Sequence, residues 1–127
     1  MCNYYNIELI LFISPASPDE RIQEVLLKAP GCIYLVTSYG VTGLRTRLED
    51  YLFSLVKKIR NTTDKRIMLG FGISNTQQVS QIMSFNLHID AIVMGSAFIQ
   101  QITSGYTKND YKDLIVFCEN IKDVMKR

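Results

Sequence analysis

Apolar residues in this chain follow two alternating patterns. Dense runs at residues 7–14, 32–38, 66–70 and 89–94 match strands buried on both faces of a parallel sheet. Between and after these runs, apolar positions recur every three or four residues, as a helix with one buried stripe requires. Ile22, Val25, Leu26 and Ala29 form the first stripe, and Leu52, Leu55, Val56 and Ile59 form the second, on a helix over residues 48–60. A third helix spans residues 75–85, and a short one runs from 96 to about 102. Ser104-Gly105-Tyr106-Thr107 reads as a break, after which Asn109 or Asp110 opens a last helix carrying Leu114, Phe117, Ile121 and Val124.

Punctuation supports these elements. Pro15-Ala16-Ser17-Pro18 ends the first strand, and Ser17 reads as a helix cap with Pro18 at the first helical position. Ser17 and Glu20 have capping-box spacing. Pro30-Gly31 ends that helix. Residues 39–47 contain two glycines and two hydroxyls without periodicity, longer than a strand-to-helix connection needs, and read as a mobile lid. Strands alternating with helices mean a parallel α/β fold. Four such units form half of a (β/α)8 TIM barrel, with a four-stranded doubly wound sheet as the alternative. The extra helix after the fourth strand favours the barrel, where such a helix often holds phosphate. The whole chain, residues 1–127, reads as one domain of four βα units.

Two corners carry the candidate chemistry. The third strand runs into Gly70-Phe71-Gly72-Ile73-Ser74, and the fourth into Gly95-Ser96-Ala97. Glycine lets a ligand approach the main chain, and a helix N-terminus offers free N–H groups to an anion. Ser74 or Asn75 can cap the helix at the first corner. Successive corners of this kind suggest one phosphate shared between two loops.

Composition narrows the remaining classes. A net charge of +2, evenly spread, gives no reason to expect nucleic acid. No run approaches the ~18 apolar residues of a membrane span, and residues 1–5 lack the basic start of a secretory signal. Cys2, Cys32 and Cys118, odd in number and far apart, point to reduced thiols with neither a disulfide frame nor a metal site. His88 reads as a surface turn residue. Abundant Ile, Asn, Lys and Tyr fit an AT-rich genome such as an organelle's, so a cytoplasmic or plastid-stroma location is expected.

Tyr34-Leu35-Val36, Gly40-Val41-Thr42-Gly43, Gly70-Phe71-Gly72-Ile73-Ser74 and Gly95-Ser96-Ala97, in this order and spacing, resemble the tryptophan synthase alpha family. Residues 7–21 also resemble the fifth strand and following helix of that family. The resemblance covers almost the whole chain but only the second half of the family's length.

The resemblance implies cofactor-free cleavage of indole-3-glycerol phosphate to indole and glyceraldehyde 3-phosphate. By it, Gly43, Gly72, Gly95 and Ser96 would hold the substrate phosphate. Tyr34 and Phe71 would face the indole, with Phe12 and Val93 as apolar wall, and Gly40 and Thr42 would belong to the closing lid. Taken singly, Tyr34 and Phe71 read equally well as core aromatics, and Gly40, Thr42 and Gly43 as turn residues. The family's acid/base carboxylates lie on its first two strands, and no motif here replaces them. Glu8 opens a strand, Glu49 and Asp50 begin a helix as dipole-compensating acids, and Asp90 opens a strand as a structural residue. A non-catalytic phosphate-binding or partner module and another phosphate-binding barrel enzyme stay open. The tryptophan synthase beta chain is the implied partner. Open sheet edges predict self-association or pairing with a complementary half-barrel.

Overall fold

A computed structural model describes residues 2–36, 45–70 and 72–126, with side chains described for residues 4–36, 52–70 and 72–126. After a short 3-10 turn, Cys2–Tyr5, the chain runs β1 (Leu11–Ile13), α1 (Asp19–Lys28), β2 (Cys32–Val36), α2 (Arg45–Arg60), β3 (Arg66–Gly70), α3 (Thr76–Ser84), β4 (Ala91–Val93), α4 (Ser96–Lys108) and α5 (Lys112–Met125). The strands form one parallel sheet in chain order, β1-β2-β3-β4. In register, Leu11 lies opposite Ile33, Phe12 opposite Tyr34, Tyr34 opposite Met68, and Met68 opposite Ala91.

Alternate residues of a strand point to opposite faces, so this register sorts the side chains. Ile13, Ile33, Leu35, Ile67 and Leu69 share one face and are all 0% exposed. The stripes of α1, α2 and α3, with Ile121 of α5, pack with them into a single core. The expected stripe residues Ile22, Val25, Leu26, Ala29, Leu52, Leu55, Val56 and Ile59 are all buried there. The other face carries Phe12, Tyr34, Val36, Met68, Ala91 and Val93. It is only partly covered, with Phe12 58% exposed. The apolar runs therefore face helices on one side only, not on both as their density suggests.

Several boundaries differ from the sequence expectation, each for a local reason. Pairing begins at Leu11 instead of residue 7, because among the described residues β1 pairs with β2 alone, and β2 itself starts at Cys32 after the Pro30-Gly31 turn. Ile7 and Leu9 are left exposed. Ser17 does not cap α1. Its hydroxyl accepts the Ser14 N–H (3.0 Å) within a tight turn, where the Ser17 N–H also donates to the Ser14 carbonyl (3.0 Å), and Pro18 occupies the cap position. The helix α2 begins at Arg45, three residues early, so only part of the expected lid lies outside it. β4 is limited to 91–93, because Asp90 turns its side chain to β3.

The expected break at residues 104–107 is helical. Gly105 lies buried inside α4, where an added Cβ would stand 2.9 Å from Tyr111 Cε1 and 3.0 Å from the Asp110 carbonyl oxygen. It is a packing glycine that lets the α4–α5 corner close. The stop comes at Asn109 in the left-handed region (φ 51°), where the Asp110 N–H donates to the Gly105 carbonyl and the Asn109 N–H to the Tyr106 carbonyl. This is a Schellman cap with Asn in the glycine place. Phe98 and Phe117 meet edge to face across α4 and α5, with centroids 5.3 Å apart.

Arg60, at the end of α2, ties the lower end of the sheet together. Its guanidinium donates to the carbonyls of Lys65 (2.7 Å) and His88 (2.6 Å) and to the Asp90 carboxylate (2.6 Å). Asp90 in turn accepts the Ile67 N–H at 2.8 Å. His88 is exposed, as expected, and its carbonyl serves this network. Burial alone raises the Asp90 carboxyl. The Ile67 N–H and the Arg60 charge outweigh it and hold the group below the usual carboxylate range. A carboxylate so depressed stabilises the fold above its unfolded value and loses that contribution as pH falls through the folded value. The stability gap between the natural chain and Asp90→Asn should therefore be full at pH 7 and narrow below about pH 4. Urea denaturation at a series of pH values measures it, and a gap independent of pH would mean that the Asp90 charge is not used.

Candidate functional site

The site is set by the ends of β2, β3 and β4. Side chains on a strand lean along it, and Tyr34 on β2 leans toward the C-terminal end of the sheet. Its hydroxyl overlies Gly70, the last residue of β3. A Cβ on Gly70 would overlap that hydroxyl, with Tyr34 Cζ 2.7 Å and Val93 Cβ 3.0 Å away. On its other side the Tyr34 ring meets Phe12, centroids 4.8 Å apart and planes tilted by 47°. Phe12, Tyr34 and Val93 thus form one apolar surface around the bare backbone of Gly70. All three were expected in the pocket. Gly70 was read as part of the first glycine corner, but only the register of three strands puts it under a tyrosine. Met68, beside Tyr34 and Ala91 in the same row, was missed for the same reason.

The two glycine corners leave this surface side by side. Gly70 pairs with Val93, and Gly72 and Gly95 each follow two residues later. Gly72 has a φ of 77°, a left-handed conformation that strains any side chain. Ile73, buried beyond it, anchors the turn in the core. The helix α3 then closes its own N-terminus: Asn75 accepts the Gln78 N–H (2.9 Å), and the Gln78 side chain returns to the Ser74 N–H (2.7 Å). Of the two candidate caps, Asn75 performs that role.

The second corner is different. Gly95 holds the cap position of α4 with no side chain to cap with, and the first helical bond runs from the Ile99 N–H to its carbonyl (3.1 Å). The first-turn N–H groups ahead of Ile99 therefore receive no side-chain cap from Gly95. A Cβ on Gly95 would meet no atom within 4 Å, and its φ of −105° suits any residue. Packing within the fold gives no reason for glycine there. Ser96 stands exposed at the first helical position. The α4 N-terminus, with Gly72 beside it, is thus the part of the two corners that no side chain of Gly95 closes.

Two of the expected acids, Glu8 and Asp90, lie away from this surface. Glu8 reaches Gly31 at the opposite end of the sheet, with Oε1 3.0 Å from the place of a Gly31 Cβ, and Asp90 belongs to the Arg60 network. Glu49 and Asp50 fall within α2, and their side chains lie outside the described residues. Gly40, Thr42, Gly43 and Phe71 also lie outside the described residues. Among the described residues, no helix is long and apolar enough to cross a membrane.

A family model described as tryptophan synthase alpha chain matches residues 1–126. The chain belongs to the tryptophan synthase alpha family. The alpha chain of Gracilaria tenuistipitata var. liui is 49% identical over 122 residues, and that of Pyropia yezoensis 41% identical over 125. These matches cover 96% and 98% of this chain but 45% and 47% of the relatives, so the chain spans about half their length. The solved alpha subunit of tryptophan synthase from Campylobacter jejuni superposes with a TM-score of 0.74 at 32% identity, covering 97% of this chain and 46% of that one. The four parallel strands are therefore half of the TIM barrel of tryptophan synthase alpha. Its barrel interior corresponds to the partly covered face that carries Phe12, Tyr34 and Met68.

Packing at Gly70 can be tested directly. Gly70→Ala should displace the Tyr34 ring and break its contact with Phe12, costing about 1–3 kcal/mol as overpacking does. In a Tyr34→Ala background the same change should cost little, so a double-mutant cycle should return a coupling of about 0.5–3 kcal/mol. Additive effects would show that the tyrosine does not occupy this space in solution.

Proposed function

We propose that this chain carries the phosphate- and indole-binding half of a tryptophan synthase alpha lyase. That enzyme cleaves indole-3-glycerol phosphate to indole and glyceraldehyde 3-phosphate in tryptophan biosynthesis. One observation carries the reading: an apolar surface of Phe12, Tyr34 and Val93 adjoins the glycine-led N-terminus of α4 at the same end of the sheet. A planar aromatic group attached to a glycerol phosphate matches that pairing. The phosphate takes main-chain N–H donors from Gly72, Gly95 and Ser96, with Gly43 from the preceding loop. The ring lies against Tyr34, with Phe71, Phe12 and Val93 around it, and Gly40 and Thr42 lie in the loop that closes over the substrate. Backbone donors bind a dianion without adding mobile charge, and closure keeps water from the reacting bond. The tryptophan synthase beta chain is the expected partner for the indole released.

Titration with glycerol phosphate tests the binding half of this reading. The amides of Gly72, Gly95 and Ser96 should shift together, while those of Asn75 and Gln78, in the self-capped turn, stay in place. Gly95→Ala should change stability by no more than about 0.5 kcal/mol, since its Cβ enters open space, yet weaken binding. Shifts spread over other loops at millimolar ligand, with these three still, would remove the phosphate site.

The chemical half is tested by activity. Cleavage needs proton transfers by positioned groups, and the loss of such a pair costs orders of magnitude in rate. Glu8 and Asp90 lie at the wrong end of the sheet to supply them. The 127-residue chain should therefore bind the substrate without releasing indole above background. Measurable release would direct attention to Glu49 and Asp50.

A further inference from the structure

We infer that Gln78 is a positioning residue for the first glycine corner, fixing the main chain at Gly72 for an anion held between the two corners. The inference rests on the proposed phosphate site, to which it adds a residue. Three observations lead to it.

The first is where the Gln78 side chain goes. With Asn75 as cap, Gln78 stands third in α3, the place from which a Gln or Glu ordinarily returns to the N–H of the cap residue itself. Here it reaches one residue further. Its side-chain oxygen accepts the Ser74 N–H (2.7 Å) and the Ser74 hydroxyl (3.1 Å), outside the helix and two residues from Gly72. The second is that Gln78 is itself held. Its own N–H donates to the Asn75 side chain (2.9 Å), so the segment 74–78 is bonded at both ends. The third is the glycine. Gly72 has a φ of 77°, and glycine keeps wide backbone freedom around such a value. Ile73, 2% exposed, anchors the segment by its side chain but leaves the peptide planes on either side to be set. The Ser74 N–H belongs to the plane that follows Ile73, and its bond to Gln78 sets that plane. With both fixed, the chain leaves Gly72 in one direction.

The chemistry of position 78 is specific. An N–H can only donate, so residue 78 must offer an acceptor on a side chain long enough to reach Ser74, as Gln and Glu do. Glu would set a carboxylate beside the proposed dianion. Gln accepts the same two bonds without charge and so does not repel the ligand.

Inorganic phosphate titrated into the natural chain and into Gln78→Met, Gln78→Glu and Asn75→Ala, followed by amide shifts, tests the assignment. Before phosphate is added, Gln78→Met should move the amides of Gly72, Ile73 and Ser74 and leave those of Gly95 and Ser96 in place, and Gln78→Glu should restore them. Phosphate should bind Gln78→Met about three- to tenfold more weakly than the natural chain, the worth of one misplaced hydrogen bond. Asn75→Ala removes the cap and keeps the Ser74 bonds, so it should lower the melting temperature without that loss of affinity. Equal affinities of Gln78→Met and the natural chain, or equal losses in Gln78→Met and Asn75→Ala, would mean that Gln78 only caps the helix. Either result overturns the inference and leaves the phosphate site standing. A natural chain whose Gly72, Gly95 and Ser96 amides ignore phosphate removes the site and the inference with it. Should Gln78→Met fail to fold, hydrogen exchange on the natural chain decides. An exposed Ser74 whose N–H is held by Gln78 exchanges slowly, and exchange at the rate of an open loop overturns the inference.

Discussion

Parallel register is the constraint on which the rest of this molecule depends. Because Phe12, Tyr34, Met68 and Ala91 lie in one row, every second side chain of four strands faces the same way. One set meets the stripes of the helices and seals. The other set faces away from them and carries the aromatic surface. The same register brings Gly72 and Gly95 to one level, since each follows its paired strand residue by two positions. A slip of one residue would exchange the faces and separate the corners.

The network around Arg60 holds that register at the end remote from the site. It bonds α2 to the residues before β3 and β4 and uses the Asp90 carboxylate to occupy the Ile67 N–H. This network and the glycine corners are thus placed at opposite ends of the strands, and in TIM barrels generally stability and chemistry divide in the same way. The acids of the chain illustrate the division. Asp90 and Glu8 lie at the end remote from the glycine corners, where Asp90 joins the Arg60 network and Glu8 reaches Gly31.

The glycines show how one residue type serves different ends. Gly70 makes room for Tyr34, and Gly105 makes room for Tyr111. Gly72 adopts a left-handed backbone. Gly95 has neither reason, and its openness distinguishes the α4 N-terminus from that of α3, which Asn75 and Gln78 close. Two corners that look alike in sequence differ in what they leave free for a ligand.

The sequence by itself determined the element order, the helical stripes, the parallel class and the two glycine corners. These depend on periodicity and on local capping chemistry, which act over a few residues. It also carried the family, through motifs at fixed spacing. Tertiary structure alone decided the rest. The apolar run at residues 7–14 looked like one strand, but β1 pairs with β2 only where β2 begins, so Ile7 to Ile10 stay outside. Gly105 looked like a breaker because nothing local revealed the Tyr111 ring that needs its missing Cβ. The Ser17 hydroxyl had two uses within a few residues, and the turn with Ser14 took it. Met68, and the place of the Tyr34 hydroxyl over Gly70, came only from the alignment of strands distant in sequence. Such pairings are set by long-range packing, which no local pattern records.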